Sequence, residues 1–204
     1  MFSITTPFTV HSVSQHTVTI ESASQGWELI MQSGVNVPCT VGIPLKTLLC
    51  EEFNLTPEQI RHIDVMLLDG KPVDAPETAI VHHGARLALA AGLPGIAGLA
   101  MKSRSAVRGL RPGITFRQDE VETPIPEPGE VELALFSLAL TMLAGHFLAR
   151  GIVVRAEQLA RYACHVRNEP CLVCGQKCSV ADMLEKLVSL PENTPVFFAA
   201  KPQT

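Results

Sequence analysis

The spacing of apolar positions changes period along the chain, and the changes mark predicted elements. Thr17-Val18-Thr19-Ile20 alternates briefly within a Ser/Thr-rich stretch, residues 1–26, read as an N-terminal extension. Trp27 to Gln32 reads as a strand, Ser33-Gly34 as a turn and Val35 to Val41 as the return strand of a hairpin. Pro44 opens a short helix that places Leu45, Leu48 and Leu49 on one face, and Thr56-Pro57-Glu58 begins another turn or short helix. Val65 to Leu68 is a continuous apolar run ending in Asp69-Gly70, a dipeptide suited to the positive φ angles of a tight hairpin turn. Lys71-Pro72-Val73 returns, with Pro72 marking an edge strand, and Ala85 to Ala91 forms a further strand.

Hairpin, helix, hairpin and strand in that order predict a β-grasp domain over residues 27–92. From residue 93 to 128 the pattern dissolves into Gly, Pro and scattered charge: Lys102, Arg104, Arg108, Arg111 and Arg117, then Asp119, Glu120 and Glu122, then Pro124, Pro126 and Pro128. That composition reads as a solvated, fairly stiff linker. Residues 129–190 read as a helical domain. Glu130 and Glu132 suit the first turn of a long helix that ends at Arg150-Gly151, and a second helix covers Ala156 to Val166. Pro170 breaks the chain, and Ser179 with Asp182 starts a third helix that stops before Pro191, leaving residues 191–204 as a tail. The expected fold class is α+β, a β-grasp domain followed by an all-α helical bundle.

Composition narrows the function classes. The 204 residues are 47% hydrophobic and 18% charged with a net charge of -4, which suits a core-rich globular chain and gives no electrostatic case for nucleic acid. The uncharged run Leu133 to Ala149 is interrupted by Ser137, Thr141, Gly145 and His146, short of the roughly 20 apolar residues a bilayer requires. No membrane partner is expected. No export signal precedes the six cysteines, so the expected compartment is the reducing cytoplasm, where close thiols are metal ligands or core residues rather than disulfides.

The chemistry concentrates in Cys164-x6-Cys171-x2-Cys174-x3-Cys178. Cys171-x2-Cys174 followed by Gly175 is a way to aim two sulfurs at one ion, and the spacings suit zinc or an iron–sulfur cluster; free thiols are the other reading. His165, beside Cys164 on a helix, points to a different side. Cys39 and Cys50 lie in apolar surroundings and read as core. His82-His83 before Gly84 reads as a solvated turn. No phosphate loop, dinucleotide fingerprint, serine elbow or His-Glu-x-x-His motif occurs, so no self-contained catalytic constellation is expected.

Pro44-Leu45-x-x-Leu48-Leu49, Asn54-Leu55-Thr56, Leu67-Leu68-Asp69-Gly70-Lys71-Pro72-Val73 and Gly84-Ala85 through Gly92-Leu93 stand in a suggestive order. With Phe136 to Ala149 and Val180-Ala181-Asp182, they make the chain from Trp27 to Leu187 resemble the small iron–sulfur subunit of the xanthine oxidase family of molybdenum hydroxylases, which includes carbon monoxide dehydrogenase. The resemblance implies a ferredoxin-like, ubiquitin-like β-grasp domain, a helical domain, and electron relay between molybdopterin and flavin partner subunits. It also shows departures. Pro57 to Asp64 and Val73 to Thr78 hold no cysteine, so the N-terminal [2Fe-2S] cluster is expected to be absent. Ala134 and Ser137 stand where the family's second cluster has its first ligand pair; Cys174 falls on the later pair, with Cys171 one residue too early.

The expectation is thus a degenerate iron–sulfur electron-transfer subunit that keeps one Fe–S cluster or zinc ion at Cys164, Cys171, Cys174 and Cys178. The alternative is an interaction or accessory protein without clusters, assembling with a partner or with itself. A sulfur-carrier role does not suit the terminal Lys201-Pro202-Gln203-Thr204, which lacks a Gly-Gly tail.

Overall fold

The computed structural model describes residues 16–21, 26–92, 115–116, 125–164, 166 and 171–201. The basic and acidic linker residues from Lys102 to Glu122, together with Pro124, His165 and Pro170, lie outside the described residues. Ten strands form one mixed sheet: β1 (His16–Ile20), β2 (Val35–Val41), β4 (Val65–Leu68), β5 (Lys71–Pro72), β7 (Arg86–Ala91), β8 (Glu127–Ser137), β9 (Ile152–Arg155), β10 (Cys171–Val173), β11 (Gln176–Cys178) and β12 (Pro195–Ala200). They lie side by side in the order β11-β10-β1-β12-β9-β2-β8-β7-β4-β5. A two-stranded sheet pairs β3 (Ile43–Pro44) with β6 (Ile80–Val81). Among the described residues the α-helices are α1 (Leu45–Thr47), continued by a π-helical turn over Leu48–Glu52, α2 (Pro57–His62), α3 (Leu138–Arg150), α4 (Ala156–Ala163) and α5 (Val180–Val188).

This architecture corrects the expected β-grasp domain plus all-α helical bundle. The decisive element is β8. Val131, Leu133 and Leu135 are buried while Glu130, Glu132 and Ala134 between them are half-buried, a period of two that belongs to a strand. Glu130 and Glu132 therefore sit on strand positions rather than in a helical first turn. β8 pairs antiparallel with β2 and parallel with β7, so it ties the N-terminal half of the sheet to the C-terminal elements. The helix begins only after Ser137, whose φ of 54° and ψ of −134° turn the chain sharply out of the strand.

Two further elements extend the sheet. The segment read as an N-terminal extension supplies β1, and the one read as a tail supplies β12; these two pair in parallel from His16↔Val196 to Ile20↔Ala200. Trp27–Ser33, read as a strand, is a 3-10 helix bounded by Gly26 and Gly34. It buries Trp27 against Phe198, ring centroids 5.0 Å apart.

Local signals place the rest. Thr56 caps α2 in a reciprocal capping box with Gln59, and Asp69-Gly70 take φ of 50° and 76° in the turn between β4 and β5. Pro72 lies on β5, the sheet's edge, where its missing N–H costs no ladder bond. Gly151 ends α3 with φ 94°, and a Cβ there would run into the ring of Phe197.

Opposed residues on neighbouring strands share a face, so the register defines continuous apolar rows: Leu68, Leu87, Leu133 and Val35 in one half, Ile152, Phe198, Val18 and Val173 in the other. Helix α3 packs across β7, β8 and β12, and α4 contacts α5. Phe147 of α3 meets Phe53 edge-on at 5.0 Å. Arg150 donates to the carbonyls of Glu52 (2.6 Å) and Pro38 (3.3 Å) and stacks over Phe53, which satisfies carbonyls where α3 meets the turn after α1. Among the described residues no helix is long and apolar enough to cross a membrane.

Candidate functional site: the cysteine hairpin and the cavity under helix α5

Strands β10 and β11 form a hairpin on the sheet's other edge, with Val173 opposite Gln176 and a two-residue turn, Cys174-Gly175, between them. Both turn residues have positive φ, 49° and 81°, the geometry that matches strand twist in short hairpins. Gly175 adopts it freely; Cys174 does so against the preference of a side chain with a Cβ. The Cys174 N–H donates to the carbonyl of Thr17 at 2.8 Å, which ties the tip to β1.

Immediately after β11, Ser179 caps α5. Its hydroxyl accepts from the Asp182 N–H (3.1 Å), and the Ser179 N–H donates back to the Asp182 carboxylate (3.0 Å). The Ser179 hydroxyl and N–H hold the Asp182 carboxyl below its usual range. So capped, α5 lies over the hairpin and buries Val180, Met183 and Leu187.

The structure separates the four sequence-predicted ligands. Cys171 stands directly opposite Cys178 at the base of the hairpin, their sulfurs 3.5 Å apart. Cys171 is buried, and its Sγ also points at the carbonyls of Cys178 (3.5 Å) and Ser179 (3.6 Å). Burial, followed by the neighbouring Cys178, pushes the Cys171 thiol up to about 12. Cys174 is exposed at the tip, roughly 10 Å from Cys171 at about 3.3 Å per strand residue. Cys164 is exposed at the end of α4, where its thiol donates to the carbonyl of Arg161 at 2.9 Å.

A tetrahedral zinc with sulfurs at about 2.3 Å requires its ligands within about 4 Å of one another. Cys171 and Cys178 meet that condition, and among the described residues no three His, Cys, Asp or Glu side chains converge as a metal group. The donor set in this arrangement does not fit a four-thiolate zinc or iron–sulfur centre. Cys39 lies in β2, fully buried, its thiol likewise raised to about 12 by burial and then by Glu52.

Between the sheet and the second half of α5 is a cavity of about 290 Å³. Its apolar wall comes from Val18, Val173, Met183, Leu187, Leu190 and Val196. The polar residues His16, Thr17, Cys174, Gln176, Lys186 and Ser189 complete the lining. Among the described residues Lys186 makes no ion pair; Asp182, one turn earlier on α5, is committed to the cap. Sequence reasoning found Cys174 but missed His16, Lys186 and Val196, because the cavity exists only where β1 and β12 flank the hairpin. The signal for the thiol pair was present: Cys171 and Cys178 are symmetric about the midpoint of Cys174-Gly175, so a two-residue turn there must oppose them. No protein-family model matches the chain, and no curated protein or solved structure matches it either.

Proposed function

We propose that this protein is a binding module whose cavity beneath α5 takes a small amphiphilic anion, a carboxylate with a short apolar tail. One observation carries the reading: Lys186 lines an otherwise largely apolar cavity and, among the described residues, makes no salt bridge, the Asp182 carboxylate acting on it only through space. The tail would lie against Val18, Met183 and Leu187, and the ammonium of Lys186 would receive the carboxylate. The electron-relay alternative has weaker support, since two of its four proposed ligands stand apart from the other pair.

At about 0.8 kcal/mol per buried methylene, a tail of roughly seven carbons supplies about 5.6 kcal/mol, equivalent to a Kd on the order of 100 μM before ordering costs are subtracted. Octanoate titrated into isotope-labelled protein should shift the resonances of Met183, Leu187 and Val196. Lys186→Met should weaken octanoate about tenfold and leave octanol unchanged, because only the acid uses the charge. Octanoate at millimolar concentration that leaves those resonances unmoved overturns the proposal.

A further inference from the structure

The pair at the base of the hairpin has a chemistry that the cavity does not use. Cys171 and Cys178 are register partners, and directly opposed residues of an antiparallel pair have Cα atoms about 4.5–5.5 Å apart, inside the range that disulfides span. Their sulfurs are already 3.5 Å apart, so a bond of about 2.05 Å requires side-chain rotation and no change of register. The two differ in access: Cys171 is buried and Cys178 half-buried. A reagent from solvent therefore meets Cys178 first, and Cys171 stands behind it as the resolving thiol. The lack of a third converging ligand among the described residues leaves a dithiol, the arrangement that two-electron thiol chemistry uses.

We propose that Cys171 and Cys178 are a reversible dithiol–disulfide pair, oxidised by low-molecular-weight disulfides. The Cys178 thiolate attacks one sulfur of the small disulfide, forming a mixed disulfide and releasing one thiolate. Cys171 loses its proton and attacks the Cys178 sulfur, which forms the intramolecular bond and expels the second small thiolate. Two protein thiols are oxidised by two electrons, and one small disulfide is reduced to two thiols. The burial that raises the Cys171 thiol makes the second step the slow one near neutrality and faster as pH rises. This proposal stands apart from the cavity's ligand, since it concerns the other end of the hairpin.

The test uses the wild-type chain equilibrated with glutathione disulfide and glutathione, acid-quenched, alkylated and digested with trypsin and chymotrypsin. Cleavage after Leu172 and Lys177 places Cys171, Cys174 and Cys178 on separate peptides, so each link is assignable without substitution. Under an oxidising ratio, about nine molecules in ten are expected to carry the Cys171–Cys178 link, with Cys164 and Cys174 outside it. One equivalent of phenylarsine oxide, which bridges adjacent thiols, should slow alkylation of both Cys171 and Cys178 about tenfold in the wild type and leave alkylation of Cys171 unslowed in Cys178→Ser. Glutathione retained on Cys178 while Cys171 stays reduced, or a link that joins Cys178 to Cys174 or Cys164 instead, overturns it.

Discussion

The sheet ends in the same device on both edges, a hairpin with two positive-φ residues in its turn, yet the two turns are built from different chemistry. At the β4–β5 edge the first position is Asp69, a residue that tolerates the left-handed region and uses its side chain locally: its carboxylate accepts from the Arg86 N–H (3.0 Å) and contacts His82 Nε2 (2.9 Å). At the β10–β11 edge the same position is Cys174, at φ 49°, an exposed residue that lines the cavity. A residue that runs against local preference beside a cavity and a thiol pair is where a site is to be sought.

The largest expected effects test whether the two edges are anchored alike. Leu68→Ala at one edge and Met183→Ala at the other each remove a fully buried side chain and should each cost about 2–5 kcal/mol in urea unfolding. A Met183 cost below about 1 kcal/mol would mean that α5 does not hold its edge.

The turns themselves give smaller effects of opposite sign. Asp69→Ala should destabilise by about 1 kcal/mol through its lost hydrogen bonds. Cys174→Gly should stabilise by about 1 kcal/mol because glycine takes the left-handed angle without a Cβ. Equal signs would show that Cys174 is as well suited to its turn as Asp69.

The smallest effect is in pH. His82 presents one ring nitrogen to the His83 carbonyl and the other to Asp69, so both donate when the ring is protonated; the carbonyl first, and Asp69 after it, raise its pKa above 6.5. Its contribution is full below about pH 6.5 and is lost as pH rises through the raised value. The pKa of Asp182 is lowered, so its contribution is present above 3.8 and is lost as pH falls through the folded value. Differences in urea midpoint between wild type and His82→Gln should thus shrink toward alkaline pH, and those for Asp182→Asn toward acid. Opposite trends at the two edges would sharpen the contrast.

What the chain displays locally could be read from it. Asp69-Gly70, Pro72, the Thr56 and Ser179 caps and the Gly151 stop all depend on neighbours a few residues away. β8 could not be read this way. Its two glutamates mimic a helix start, and only pairing to β2 and β7 makes the alternation Val131-Leu133-Leu135 decide. Nor could β1 and β12, each too short to announce itself without the other. The site divides in the same manner: cysteine spacing is local and was legible, whereas the cavity depends on strands from both ends.

The parallel pairing of β1 with β12 has a kinetic meaning. It joins segments some 180 residues apart, and the Glu21–Lys201 ion pair (2.8 Å) fastens the same junction. The Cys174 tip hangs on β1, so the cavity closes only after that long loop has been drawn shut, at an entropic cost that nearer pairings avoid. On a ribosome the half of the sheet around β2, β8 and β7 can assemble first, while the pairing of β1 with β12 waits for β12 to emerge. The space under α5 is thereby complete only once β12, which supplies Val196, has joined the sheet.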